Sequence, residues 1–347
     1  MSSPTRVTAI SDIAQLEDLL SEPTDQVVGV MSRLRGDVML LGAGGKMGPT
    51  LARMARRASD AAGVDRRVIA VSRFSTPPAA SHFKDHGIET IACDLLDPQQ
   101  LERLPDCENI VHMAVLKFGS TGREGEAWAT NCYLPALVCQ KFRESRIVAF
   151  STGNVYGLTP VQQGGSRETD VPQPVGEYGM SCLGRERMFE YFSTKLNIPV
   201  AILRLNYACE LRYGVLVDLA EKVWAEKPID LAMGYFNIIW QGDANAMTLA
   251  AFDRCATPAA VFNMTGPELL DVRGVCDEFG RLFGKQVHYR GEIGEDALLS
   301  NCSLSEQHFA PPRIPAAELI EAVAVWIQQD GARLGKPTKF EQRDGRF

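Results

Sequence analysis

Four apolar residues, Val38-Met39-Leu40-Leu41, run straight into Gly42-Ala43-Gly44-Gly45-Lys46-Met47-Gly48, and a helical pattern follows. Glycines at the first turn between a strand and a helix let the backbone bend sharply and come close to a pyrophosphate. The helix N-terminus then offers amide donors and a positive dipole end. Spacing separates the candidate chemistries. A P-loop needs Ser or Thr after Gly45-Lys46 and an earlier glycine where Leu40 stands; both conditions fail. A GxGxxG/A fingerprint starting at Gly42 needs a small residue where Met47 sits. GxxGxxG through Gly42, Gly45 and Gly48 fits, so Gly42, Gly45, Lys46, Met47 and Gly48 form a candidate dinucleotide loop. A tight turn without ligand is the alternative. The second apolar run ends Val71-Ser72-Arg73. Without an acidic residue there, nothing repels a ribose 2′-phosphate, and Arg73 can pair with one. Ser72 and Arg73 therefore favour NADP over NAD, with a solvated Arg73 and either cofactor as the bland reading.

A second candidate lies in Tyr178-Gly179-Met180-Ser181-Cys182, inside a helical run over 176–196. A phenol titrates near 10 and a thiol near 8.5, so at neutral pH Tyr178 can give a proton but is poorly prepared to take one. At about 3.6 residues per turn, Cys182 and Arg185 share a face with Tyr178, and helical side chains lean toward the N-terminus. Arg185 either reaches back toward the phenol or lies at the surface, paired with Glu186 or Glu190. Cys182 is a nucleophile if its pKa is depressed, and otherwise a buried inert thiol. His82 and His86 share a helix face, but lack nearby Cys or acidic partners and read as surface residues; no metal is expected.

These groups need a scaffold. Short runs rich in Val and Ile at 38–41, 68–71, 88–92, 110–114, 146–150 and 200–205 read as strands. Helical stretches at 46–62, 98–104, 125–144 and 176–196 lie between them. Such alternation predicts an α/β fold, a Rossmann-like doubly wound parallel sheet covered on both faces. The expected division is a helical extension over 1–36, a dinucleotide-binding domain over 37–206, and a mainly substrate-binding lobe over 207–347, interleaved with the end of the main sheet. Asp12–Leu20 can form a short helix, and Glu22-Pro23-Thr24-Asp25 reads as a break and a fresh cap. The late chain predicts helices at 215–225, 243–254, 272–283 and 316–329, with apolar segments at 236–240 and 260–264. Asp243 reads as a cap for the second of these helices.

Over residues 37–330 the chain resembles the extended short-chain dehydrogenase/reductase family, the group of nucleotide-sugar epimerases and dehydratases. Cys93-Asp94-Leu95-Leu96 resembles its acidic turn that contacts adenine, and His112-Met113-Ala114-Val115 its small-residue turn passing the cofactor. Asn131 takes the place of an asparagine that helps position the active-site loops. The segment Phe150-Ser151-Thr152-Gly153-Asn154-Val155-Tyr156-Gly157 is similar to the family's hydroxyl-bearing strand end, and Glu168, Pro172, Pro174 and Tyr178 to the approach to the catalytic helix. The resemblance implies Tyr178 as general acid/base and Thr152 as the hydroxyl that holds the reacting oxygen; a Thr merely ending a strand is the alternative. It further implies Asp94, Leu95, Met113, Ala114, Val115 and Asn131 as cofactor-side residues. Asn154 and Asn206 fall toward the substrate, although Asn206 comes one position early for the family's Arg-x-x-Asn, so Tyr207 is its alternative. Cys182 departs from the family, which has lysine there to bind the nicotinamide ribose and lower the tyrosine pKa. The helices around 131–139 and 178 correspond to those that pair in the family's dimers, so a homodimer is implied.

With 347 residues, 45% apolar and 23% charged, the chain can bury one large core or two interlocked ones. A net charge of -7 argues against nucleic acid or anionic membrane as partner. Nine scattered cysteines without a CxxC pair suit reduced thiols. No leader or apolar span of about 18 residues is evident, so a soluble, cytoplasmic protein is expected. The leading expectation is an NAD(P)-dependent oxidoreductase or epimerase acting on a sugar or sugar-nucleotide-like hydroxyl or carbonyl. Two alternatives stand beside it: a cofactor-binding sensor or partner protein with impaired catalysis, and a non-redox isomerase or lyase reusing the pocket. Arg212, Tyr213, Tyr235, Asn237, Tyr289 and Arg290 are polar candidates for choosing the substrate.

Overall fold

The computed structural model describes residues 7–75, 78–117, 119, 121–336 and 338–345. Its central sheet has seven strands: β1 Val38–Leu41, β2 Val68–Ser72, β3 Glu89–Ala92, β4 Asn109–His112, β5 Arg146–Thr152, β6 Val200–Leu205 and β7 Ala260–Met264. They lie in the order β7-β6-β5-β4-β1-β2-β3, and every neighbouring pair is parallel. Chain direction across the sheet reverses beside β1, which opens a crevice at the carboxyl ends of β1 and β4.

Continuous apolar sequence makes the inner strands because both faces are covered. In β1, Val38 and Leu40 enter one core and Met39 and Leu41 the other, the two-residue alternation of a pleated strand. β3, at the sheet's edge, departs from this pattern and exposes Glu89, a charge that discourages further pairing. Among the described residues the helices of eight or more residues are α1 Ile13–Leu20, α2 Asp25–Arg33, α3 Gly48–Ala61, α4 Leu134–Lys141, α5 Gly176–Leu196, α6 Val215–Trp224, α7 Gln241–Ala250, α8 Val272–Phe283 and α9 Ala316–Gln328. α3 and α7 cover one face, and α1 and α2 pack on them. Thr24 opens α2 by accepting the Val27 amide at 3.2 Å. α4 and α5 cover the other face through Leu134, Val138 and Phe189. A separate core holds α6, α8 and α9 together around Phe236, Trp240, Phe279 and Trp326.

The apolar segment at 260–264 is the seventh strand of the main sheet, in register with Ala201–Leu205. Two expectations need correction. The helix expected over 125–144 is interrupted by a wider π-turn at Ala129–Tyr133, where the Leu134 amide bonds to Ala129 O. Pro135 explains the interruption: it has no N–H to give the Asn131 carbonyl one turn earlier, and that carbonyl turns elsewhere. Asp243 caps nothing; it lies inside α7 and takes the Arg313 backbone and guanidinium at 2.8 Å each.

Candidate active site

The glycine loop sits at the mouth of the crevice. Gly42 has φ +91°, and a Cβ there would lie 2.6 Å from the Ala114 backbone, so only glycine lets the turn after β4 pack against it. At Gly48 a Cβ would collide with the Ala43 carbonyl, which brings α3 close under the loop. Gly45 differs. Nothing approaches its Cβ position closer than 3.7 Å, leaving the loop's outer face open. α3 begins with no side-chain cap, and Pro49 stands in its first turn. The first amides of a helix need a partner from outside it. An open, uncapped, glycine-lined helix start fits a diphosphate.

Around that cradle, Ser72 reaches Gly44 from the end of β2, and Arg73 is exposed beside it. Asp94 is exposed after β3 and accepts the Leu96 amide at 3.1 Å, while Leu95 is buried. Met113 continues from β4 with its amide on Leu41 O, and Val115 is exposed. Met47 is buried under the loop. Lys46 turns away from the sheet toward the second lobe. Its ammonium donates to Ala208 O at 3.1 Å and lies 3.9 Å over the Tyr213 ring. Burial lowers its pKa to about 8, against the opposing pull of Glu210.

The turn after β4 is held from behind. Asn131, fully buried, accepts the Leu116 amide at 2.9 Å, returns a bond to Leu116 O at 3.0 Å, and reaches Ser181 at 3.0 Å. Arg185 is 2% exposed. Its guanidinium donates to Phe150 O and Ala114 O at 2.9 Å each, to Asn131 Oδ1 at 3.0 Å, and to the Asn131 carbonyl at 3.2 Å. That last acceptor is the one Pro135 leaves free. The surface placement of Arg185 is thereby overturned. Glu186 bonds Arg204 at 2.7 Å and Glu190 bonds Arg187.

Tyr178 is buried one turn before Cys182, and its hydroxyl hydrogen-bonds both Thr152 and Cys182. Thr152 Oγ1 accepts the Asn154 amide at 3.2 Å and Asn154 Nδ2 at 3.0 Å. Its own proton is then the one to offer the phenol. Burial raises the Tyr178 pKa well above 10, Cys182 adds to the rise, and Arg185 and Thr152 oppose it. Burial likewise raises the Cys182 thiol, so it is neutral and no nucleophile at ordinary pH. All nine cysteines are free.

Asn206 is tied into the wall: its amide bonds Asn237 Oδ1 at 2.7 Å, which removes both from any free polar surface. Tyr207 follows with φ +48°. Beneath the site, Arg204 grips Glu186 and donates to the Tyr156 hydroxyl at 2.6 Å, and that hydroxyl donates to Asn263 at 2.8 Å. Arg212 bridges Glu210 and Glu17 of α1, both at 3.1 Å. The sequence reading missed Lys117. Its ammonium lies 5.4 Å from the Tyr178 ring centroid. The signal was a lysine just past a turn of otherwise small and apolar residues, Met113-Ala114-Val115-Leu116.

The family model described as "NAD dependent epimerase/dehydratase family" matches residues 38–209, from β1 to just beyond β6. No curated protein matches the chain significantly in sequence. Among solved structures, the UDP-Glc/GlcNAc 4-epimerase of Campylobacter jejuni is 21% identical with TM-score 0.69, covering 85% of this chain and 100% of its own. The UDP-glucuronic acid 4-epimerase of Bacillus cereus, in complex with NAD, is 18% identical with TM-score 0.68, over 84% and 99%. The dTDP-glucose 4,6-dehydratase of Bacillus anthracis, also with NAD, is 15% identical with TM-score 0.69, over 85% and 97%. At these identities the likeness to solved structures is one of fold.

Proposed function

We propose, from the match of residues 38–209 to the NAD dependent epimerase/dehydratase family model, that the chain is an NAD(P)-dependent enzyme acting on a hydroxyl or carbonyl of a sugar or sugar-nucleotide-like substrate. The observation that supports this reading is the Tyr178 hydroxyl, partnered by Thr152 at the end of β5 and by Cys182 one turn along α5, in a fold whose first strand ends in a glycine loop open at Gly45. Gly42, Gly45, Met47 and Gly48 would hold the diphosphate, with Asp94 and Leu95 toward the adenine and the turn of Met113, Ala114 and Val115 toward the nicotinamide. When bound, the dinucleotide supplies the hydride donor or acceptor. Ser72 and Arg73 favour a 2′-phosphate, hence NADP over NAD.

The residues then divide the work. Thr152, oriented by Asn154, shares the reacting oxygen with Tyr178, which gives or receives the proton. Because the phenol is held protonated, proton donation to a carbonyl oxygen is the easier direction, so reduction of a keto-sugar is favoured over oxidation of an alcohol. Tyr207, Tyr213 and Lys46 face the lobe that selects the substrate. Exposed Trp128, Tyr133, Met180 and Tyr191 on the outer faces around α4 and α5 suit a homodimer contact. Among the described residues no helix is long and apolar enough to cross a membrane; the cytoplasm is the proposed compartment.

The neutral Cys182 in place of a lysine favours a second reading, a protein that binds the cofactor without turning it over. Mass spectrometry of freshly purified, denatured protein for NAD(H), NADP(H) and sugar nucleotides tests the first requirement of both. Tyr178→Phe separates them: loss of about 100-fold or more in keto-sugar reduction is expected of a general acid, and unchanged activity removes Tyr178 from the mechanism.

A further inference from the structure

The proposed chemistry, on which this inference rests, asks a buried phenol to exchange protons, and burial opposes its ionisation. A positive charge against the ring is the simplest remedy. The family's lysine position holds Cys182, whose short side chain leaves the flank of Tyr178 open to another element. We propose that Lys117, reaching in from the turn after β4, supplies the ammonium that stabilises ionised Tyr178, and is a positioning residue of the reaction.

The placement is specific. The Lys117 ammonium lies 5.4 Å from the centre of the Tyr178 ring and within electrostatic reach of Cys182, on the same flank of the helix. Its backbone is braced: Leu116, the preceding residue, is bonded in both directions by Asn131, and Ala114 O is held by Arg185. Arg185 also favours the phenolate, while its guanidinium donates to the carbonyls of Phe150, Ala114 and Asn131; Lys46 donates to Ala208 O. The groups facing the pair are Thr152 from β5, Cys182 and Arg185 from α5, Lys46 from the glycine loop and Lys339 from the C-terminal segment.

Burial brings the Lys117 pKa down to about 8; Cys182 resists that shift, and Lys46 and Lys339 add to it. Below that pH the side chain is an ammonium and exerts its field; an ionised Tyr178 beside it would in turn hold that proton to higher pH, because the two groups titrate as a pair. In alcohol oxidation the substrate O–H and C–H bonds would break, the proton passing to the ionised fraction of Tyr178 that Lys117 stabilises and the hydride to the oxidised dinucleotide. In reduction the hydride would come from the reduced dinucleotide to the carbonyl carbon and the proton from the phenol to the carbonyl oxygen, and Lys117 would stabilise the phenolate left behind.

The test places 3,5-difluorotyrosine, a more acidic phenol, at position 178 and follows its fluorine resonance against pH, without cofactor and with NADPH. Taking the 5.4 Å from the ammonium to the ring centre as the separation, one charge at an effective dielectric near 20 is worth a shift of about two pH units. Lys117→Met should raise the phenol's titration by about one to two pH units. Lys117→Arg should keep it low, and Cys182→Lys in the Lys117→Met background should restore it. If the Met variant does not fold, Lys117→Gln takes its place. A titration unmoved within about 0.3 units by removing the charge overturns the proposal. Because the cofactor-free titration is read separately, failure to bind NADPH would sink the nicotinamide reading without deciding the role of Lys117.

Discussion

Arg185→Met removes the guanidinium while keeping most of the apolar stem. The change strips donors from three backbone carbonyls, those of Phe150, Ala114 and Asn131. A buried acceptor left without a donor costs about 1–3 kcal/mol, so the gross loss is about 3–9 kcal/mol. Against it stands the desolvation of the buried guanidinium, itself several kcal/mol, which the variant no longer bears. The net expectation is a loss of about 3 kcal/mol. With a urea m-value near 3 kcal/mol/M, that loss lowers the unfolding midpoint by about 1 M. Arg185→Lys, which can still reach one carbonyl, should fall between wild type and Met. Because Arg185 braces the turn behind Ala114, NADPH affinity should fall in parallel. Urea denaturation monitored by tryptophan fluorescence reads the first effect, and fluorescence titration the second. A midpoint within about 0.3 M of wild type would mean the three carbonyls find other donors, and the account of Arg185 as a knot tying β4, β5 and the π-turn would be wrong.

Other consequences are simpler to measure. Gly45→Leu should fold normally, since the space above Gly45 is open, yet weaken NAD(P)H binding by tenfold or more, about 1.4 kcal/mol, as seen by fluorescence titration. Arg73→Glu should weaken NADPH but leave NADH nearly unchanged; equal effects on both would remove Arg73 from cofactor choice. Alkaline pH should destabilise the protein under reducing conditions. Burial raises the pKa of every cysteine, so the unfolded chain loses thiol protons first, and stability falls as pH climbs from about 8.5. Lys46 and Lys117, with pKa values lowered to about 8, act in the opposite sense over the same window, but two groups oppose nine. A melting temperature that rises between pH 8 and pH 10 would reverse this balance.

How much could be read from the letters varied with the range of the interaction. β1 and β6 appear at their expected limits, because strands covered on both faces are largely apolar runs and need no partner to be recognised. The glycine loop was legible for the same reason: its demands on Gly42 and Gly48 are largely steric and local. β4 stops at His112 rather than Ala114, where the Ala114 carbonyl turns to Arg185 instead of a ladder. That guanidinium's helix face could be computed from periodicity, but not the three carbonyls that meet there. The π-turn was within reach, since Pro135 withholds a donor from Asn131, although its consequence depends on an arginine from another helix. Asn206 looked free and is bound to Asn237, a residue from a different lobe. Lys117 belongs to the same class. Its significance comes from standing beside Tyr178, and nothing in a loop lysine's sequence neighbours announces that.

The central claim is that the loop from Gly42 to Gly48 seats a nicotinamide dinucleotide beside the Tyr178 hydroxyl. Calorimetric titration of the wild-type protein with NADPH, NADP, NADH and NAD, alongside Gly45→Leu, addresses it most directly. One dinucleotide bound per chain, with the heat lost in the variant, is the predicted result. No heat and no thermal shift with all four at millimolar concentration would contradict it.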